Sequence, residues 1–215
     1  MRKNKVDKRK VQGAETKGKL YGIAKRLFAE HSFSEVNIED ITDEAGITKG
    51  AFYVHFASKD ALIAMLIADY VSQADMDYKA FVESLPNDMP SASALLALAG
   101  RIADTLSNTL GYENMKKIYQ LLLMGAMGTE AVREYGRELY TLVYGMLQKG
   151  VLRGELASPL SLDALSRHFV MAIRGVTFEW CVQHPDLDLR EQTIEHIRLL
   201  MDGIRTQAHS QEEES

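Results

Sequence analysis

Apolar residues recur along this chain at helical spacing. Leu20, Ile23, Ala24, Leu27 and Phe28 fall at i, i+3, i+4, i+7 and i+8, which predicts an amphipathic helix with one buried face. Short helices are predicted after Asn37 and after Thr48. A long one runs from Ser58 to about Phe81, with Leu62, Ile63, Leu66, Ile67 and Tyr70 on its stripe. Pro86 and Pro90, flanking Asn87 and Asp88, break the pattern between Leu85 and Ser91. Further helices are predicted from Ala92 to Leu110, Glu113 to Met127, Glu130 to Val151, Leu162 to Val182 and Leu189 to Gln207. Asp188 stands three residues before Glu191, the spacing of a capping box, and Pro185 ends the helix before it. Period-2 alternation persists nowhere and no repeat of 20–50 residues is present, so the expected class is all-α with about nine helices.

The stretch from Asn37 to Phe56 carries the sharpest local pattern. Asn37 is a natural N-cap, and Glu39 and Asp40 suit the positive end of the helix that follows. Ile38, Ile41 and Ala45 share one side. Gly46 sits where the chain must leave that helix in a left-handed conformation, Ile47 plugs the corner, and Thr48 caps the next helix. Two short helices joined by such a turn form a helix-turn-helix, whose second helix enters the major groove of DNA with its N-terminal residues first. On that second helix Phe52 and Phe56 lie at i, i+4 and anchor it inward. Lys49, Gly50, Tyr53 and Val54 lie largely on the other side.

A net charge of −5 over 215 residues argues at first against a nucleic-acid partner, but its distribution does not. Arg2, Lys3, Lys5, Lys8, Arg9 and Lys10 face only Asp7 in the first ten residues. Residues 1–60 are net +3, so the rest of the chain is net −8. A positive end on an acidic body fits a DNA reader with a separate second function. The basic run itself reads either as an arm along DNA or as a solvated tail. The apolar share of 46% is ordinary for a globular chain, and the single cysteine, Cys181, rules out an intrachain disulfide framework. The longest apolar run, Ala61 to Ala68, falls well short of the ~20 residues that span a bilayer, and no apolar stretch follows the basic N-terminus as in a signal peptide. A cytoplasmic location is expected.

The residues from Leu20 to Leu62 resemble the DNA-binding domain of the Tet repressor (TetR/AcrR) family. The matching positions are Ile23-Ala24, Leu27-Phe28, Asn37-Ile38, Ile41, Ala45 through Gly50, Phe52-Tyr53, His55-Phe56, Ser58-Lys59-Asp60 and Leu62. Ser32-Phe33 and Thr42 depart from the family pattern at positions that touch packing. The resemblance implies that Asn37, Tyr53, His55 and Lys59 hold backbone phosphates and that Thr48, Lys49 and Gly50 approach base edges. For His55 a capping role at the end of the recognition helix is the alternative. The resemblance further implies a DNA-binding transcriptional regulator and no enzyme. It is expected to be a homodimeric repressor on a palindromic double-stranded operator, released by a small-molecule effector, with no cofactor, metal or membrane. An architectural DNA-binding protein without ligand control is the competing reading.

The expected organisation is a basic flexible arm over residues 1–14, a DNA-binding domain over 15–60, a helical regulatory and dimerisation domain over 61–209 and a disordered tail over 210–215. Two apolar sides on the helix from Leu162 call for two partners. The expected dimer interface is Leu165, Phe169, Ile173, Val176 and Trp180 with Ile197, Met201 and Ile204 of the final helix, and a monomer core wrapping that helix is the alternative. Met and aromatic residues suit an adaptable cavity as well as plain core, and the candidates for ligand contact are Tyr119, Met124, Met127, Tyr144, Met171, Arg174 and Phe178. Gly13 through Lys19 has P-loop spacing but lacks the Ser/Thr for Mg²⁺ and a preceding strand. Cys181 and His184 have no second ligand pair nearby. Both are set aside.

Overall fold

The computed structural model describes residues 3–125, 130–133 and 137–205, and every regular element among them is helical. Met127 and the tail expected over 210–215 lie outside the described residues. The chain divides into two units. One comprises Met1–Val71 and Glu113–Arg133, the other Ser72–Tyr112 and Glu134–Ser215.

The first unit is built on α1 (Lys3–Glu30), α2 (Ile38–Ala45), α3 (Lys49–His55) and the first half of α4 (Lys59–Ser84). Leu20, Ala24 and Phe28 form the buried stripe of α1 that the periodicity predicts. Phe33, Ile41, Phe52, Phe56, Leu62, Ile63 and Leu66 complete the core. Phe28 and Phe33 meet edge to face with ring centroids 5.1 Å apart, so Phe33 is a core anchor, and in the Ser32-Phe33 pair the departure is Ser32. Thr42, the other departure, is buried, and its hydroxyl donates to the carbonyl of Glu39 at 3.1 Å. That bond satisfies a group that would otherwise be costly to bury.

The unit is discontinuous in sequence. It regains the chain at α6 (Gly111–Leu123) and α7 (Glu130–Arg133). Its first segment ends at Val71, inside α4, whereas the DNA-binding domain is expected over 15–60. A second difference is at the N-terminus. The segment expected to be a flexible arm is the start of α1, which is helical from Lys3.

The second unit contains α5 (Ser91–Asp104), α8 (Glu138–Leu152), α9 (Leu162–Gln183) and α10 (Leu189–Asp202). Leu95, Leu98, Val143, Leu147, Phe169, Ile173, Ile197 and Met201 are its core. Asp75 and Arg137 form a largely buried ion pair beside this core, with Arg137 Nε 3.1 Å from Oδ2 of Asp75. Helix α5 runs on into a π-helical turn, Thr105–Leu110. Thr105 and Ser107 hydroxyls donate back to the carbonyls of Arg101 and Ala103, both at 2.9 Å, and such bonds compete with the regular ladder where the helix widens. Gly111, at φ +76°, ends the turn. The helix expected over Glu130 to Val151 is two helices, α7 and α8. Ten α-helical segments are thus present among the described residues. No single described helix is long and apolar enough to cross a membrane.

Helix α8 approaches the start of α5 closely because residue 150 has no side chain. A Cβ at Gly150 would lie 2.5 Å from Leu156 Cδ1 and 2.9 Å from the Cβ of Ser91. Gly150→Ala is therefore expected to destabilise the protein by about 1–3 kcal/mol in urea unfolding, because well-packed neighbours must shift to admit the methyl group.

Candidate nucleic-acid interface

Helices of eight and seven residues are too short to persist alone, so their ends and their buried sides hold α2 and α3 in place. At the start of α2 the carboxylate of Asp40 accepts the backbone N–H of Asn37 at 2.6 Å. At its end Gly46 adopts φ +67°, its N–H reaches the carbonyl of Asp43 at 3.1 Å, and Ile47 N–H reaches Thr42 at 3.0 Å. Thr48 then caps α3, its hydroxyl oxygen accepting the N–H of Ala51 at 3.2 Å. Phe52 and Phe56 are buried with ring centroids 5.4 Å apart. These two rings decide which side of α3 faces out.

The outward side carries Thr48, Lys49, Gly50, Tyr53 and Val54, all exposed. Tyr53 stands edge-on to Phe52 with centroids 5.5 Å apart, and 49% of its surface remains open. A Cβ at Gly50 would meet only Thr48 Oγ1, at 3.8 Å, so the fold itself does not require glycine there. Asn37 is exposed at the start of α2. His55 is half-buried in the last turn of α3. Lys59 opens α4 and is half-buried. Burial, with Lys117 nearby, lowers its pKa from the usual lysine value. All seven residues expected at a DNA surface therefore lie on one helix-turn-helix and the start of the helix after it.

Ion pairs surround this surface. Lys49 bonds the carboxylate of Glu39, and the pair raises the lysine pKa and lowers that of the carboxyl. Arg26 bridges Glu44 and Glu30. Lys19 donates to the carbonyl of Ala45, capping α2 at 2.8 Å. Two participants come from far along the chain. Asn114 Oδ1 accepts the backbone N–H of Phe33 at 2.8 Å, and Lys117 sits 3.0 Å from Asp60. Sequence reasoning missed both, because local spacing carries no signal for a contact made 81 positions away.

The residues expected to contact a ligand fall in both units. Tyr119 and Met124 belong to the first unit, where Met124 is exposed, and Met127 lies outside the described residues. In the second unit Tyr144, Met171 and Phe178 are exposed, and Arg174 is half-buried on α9. A cleft of about 300 Å³ does exist in that unit, lined by the end of α4, the start of α5 and α8. Its walls include Val82, Leu85, Met89, Leu142 and Met146, with Lys149 at the edge, and none of the expected residues.

The residues expected at the dimer seam are mostly buried within the single chain. Leu165, Phe169, Ile173, Trp180, Ile197 and Met201 are buried within their own chain, and Val176 and Ile204 are half-buried. They form the subunit's core side. The exposed apolar side of α9 is Met171, Phe178 and Val182.

Residues 22–66 match the family model described as bacterial regulatory proteins, tetR family. The repressor KstR2 of Rhodococcus jostii is 24% identical over 86% of this chain and 89% of its own length. A TetR-family regulator from Pectobacterium atrosepticum superposes with a TM-score of 0.72 at 16% identity, over 91% of this chain and 97% of that one. Thermus thermophilus FadR, a repressor solved with lauroyl-CoA, gives a TM-score of 0.64 at 19% identity, over 87% and 94%.

The turn between α2 and α3 is testable by itself. Gly46→Ala forces a side chain into the left-handed region, and a loss of about 1–2 kcal/mol in urea unfolding is expected.

Proposed function

This chain belongs to the tetR family of bacterial regulatory proteins, and we propose on that premise that it is a homodimeric repressor whose grip on DNA a small molecule releases. The observation that carries the DNA reading is the outward side of α3. There a cation, a bare backbone at Gly50 and a phenol stand together on a helix pinned from behind by Phe52 and Phe56. Lys49 reaches a base edge or a phosphate, Gly50 lets the backbone approach the duplex, and Thr48 adds its hydroxyl. Tyr53, Asn37, His55 and Lys59 bond phosphates. A two-fold dimer sets two such helices into successive major grooves, ~34–36 Å apart, on a palindromic site.

The exposed stripe of α9 suits the dimer contact. Met171, Gly175, Phe178 and Val182 recur at i, i+4, i+7 and i+11, with Leu199 exposed on α10. A stripe of this period packs against a copy of itself across a two-fold axis.

The cleft of the second unit is the place we assign to the effector. Its walls are mainly aliphatic, with Ser91, Asn87 and Lys149 available to orient a polar end. Val82 ties it to α4, the same helix whose first turn carries Lys59. A compound that favours one conformation of α4 needs a coupling of only ~1–3 kcal/mol to weaken operator binding 5–150-fold.

Duplexes selected from a random pool test the DNA reading. The expected plot of log K against log salt has a slope near −7 for ~8 phosphate contacts per dimer. Tyr53→Ala is expected to weaken binding to every sequence alike while circular dichroism stays unchanged. Unaltered affinity in this variant would remove the phosphate role. For the effector, Gly145→Leu fills the cleft from α8, where no atom opposes a new Cβ. It is expected to raise helix stability by up to ~1 kcal/mol. Operator affinity should be kept, and release by compounds that act on the unmodified protein should be lost.

A further inference from the structure

Helix α1 is much longer than its packed part. It holds 28 residues, yet among its described side chains, from Lys10 onward, the first fully buried one is Leu20. From Lys10 to Lys19 every residue is exposed or half-buried. At 1.5 Å per residue the segment from Lys3 to Lys19 adds roughly 25 Å of helix beyond the core. Burial of an apolar face does not account for that length.

The charge of the segment sets it apart. Residues 1–19 contain eight Lys/Arg and two acidic residues, in a chain that is net −5. The charge is also placed with respect to α3. Lys17 Nζ lies 5.5 Å from the centroid of the Phe56 ring, at the end of the recognition helix. Lys10 precedes Lys17 by two helical turns and so shares its face, and position 3, another lysine, repeats the spacing. Glu15 falls on the opposite side by the same register. The face of α1 that buries Leu20, Ala24 and Phe28 is therefore continued outward by Lys17, beside the end of α3, and by Lys10, and the sequence keeps the same register with a lysine at position 3.

The segment is a weak helix on its own account. Gly13, Gly18 and Gly22 lie within α1, and a Cβ at any of them would meet nothing within 4 Å. Packing does not demand them, and each lowers helix propensity. Like charges along one face lower it further. A polyanion laid along that face relieves the repulsion and stabilises the helix.

We propose that the N-terminal extension of α1 is a second DNA-binding element, a basic helix that follows the phosphates of duplex DNA flanking the groove entered by α3. The reading rests on the DNA-binding function proposed above. The extension adds sequence-independent contacts, lengthens the protected site and gives the complex a large share of its salt dependence.

The test uses the full chain and a full-length variant carrying Lys3→Gln, Lys10→Gln and Lys17→Gln, the three lysines of the i, i+7, i+14 register. The probes are two forms of the duplex selected from the random pool. The short form ends at the outermost selected base pair, and the long form adds ten pairs of unrelated sequence on each side. The full chain is expected to bind the long form more tightly than the short. The variant is expected to lose that advantage, with affinity for the long form down at least about tenfold at 0.1 M salt. Its salt slope should be shallower by about 5, since each subunit then leaves three phosphates without a cation. Helical circular dichroism of the full chain should rise on adding the long form, and that of the variant should not. Equal affinity and equal slope for the two proteins on the long form would overturn the proposal while leaving the DNA-binding reading intact. Failure of the full chain to retain any duplex would remove both.

Discussion

Two phenyl rings govern what this surface offers. Helix α3 has seven residues, fewer than a free helix needs, and its orientation follows from burying Phe52 and Phe56 beneath it. Once those rings are inside, Lys49, Gly50 and Tyr53 have no choice of direction. The left-handed Gly46 and the Thr48 cap act earlier in the same chain of causes, bringing α3 to the core at an angle that lets both rings enter. Phe33, held edge-on to Phe28 and tied by its N–H to Asn114, closes the far side of that core.

The free surface is electrostatically balanced. Lys49 lies against Glu39, Arg26 against Glu44, and Lys117 against Asp60. The first two pairs are solvent-exposed and so contribute little to folding. On the proposed reading they matter for binding, since a phosphate that recruits Lys49 must replace a carboxylate already in place.

The local features of the recognition unit were legible in the sequence because each has a short-range cause. Asn37, Gly46 and Thr48 mark helix ends by backbone chemistry, and Phe52 and Phe56 mark a buried side by spacing. What sequence did not reveal has a long-range cause. Periodicity showed that α9 is apolar on two sides but not which side its own chain covers, and Phe169 and Ile173 belong to the internal one. The cleft was missed for a related reason. Met171 and Phe178 are the right kind of side chain for a cavity, yet this cleft is lined by the end of α4, the segment through Pro86, the start of α5 and α8, which meet only in the folded chain. The length of α1 was hidden because its first part buries no apolar stripe and carries glycines, so periodicity had nothing to register there.

The return of the chain through Asn114 and Lys117 bears on how such proteins can be recombined. A chimera cut within α4 at Val71 would transplant the helix-turn-helix without the amide that receives Phe33 or the ammonium beside Asp60. The reading head is thus not a cassette. A graft that keeps its shape has to carry the stretch from Glu113 to Arg133 as a second, separate insert.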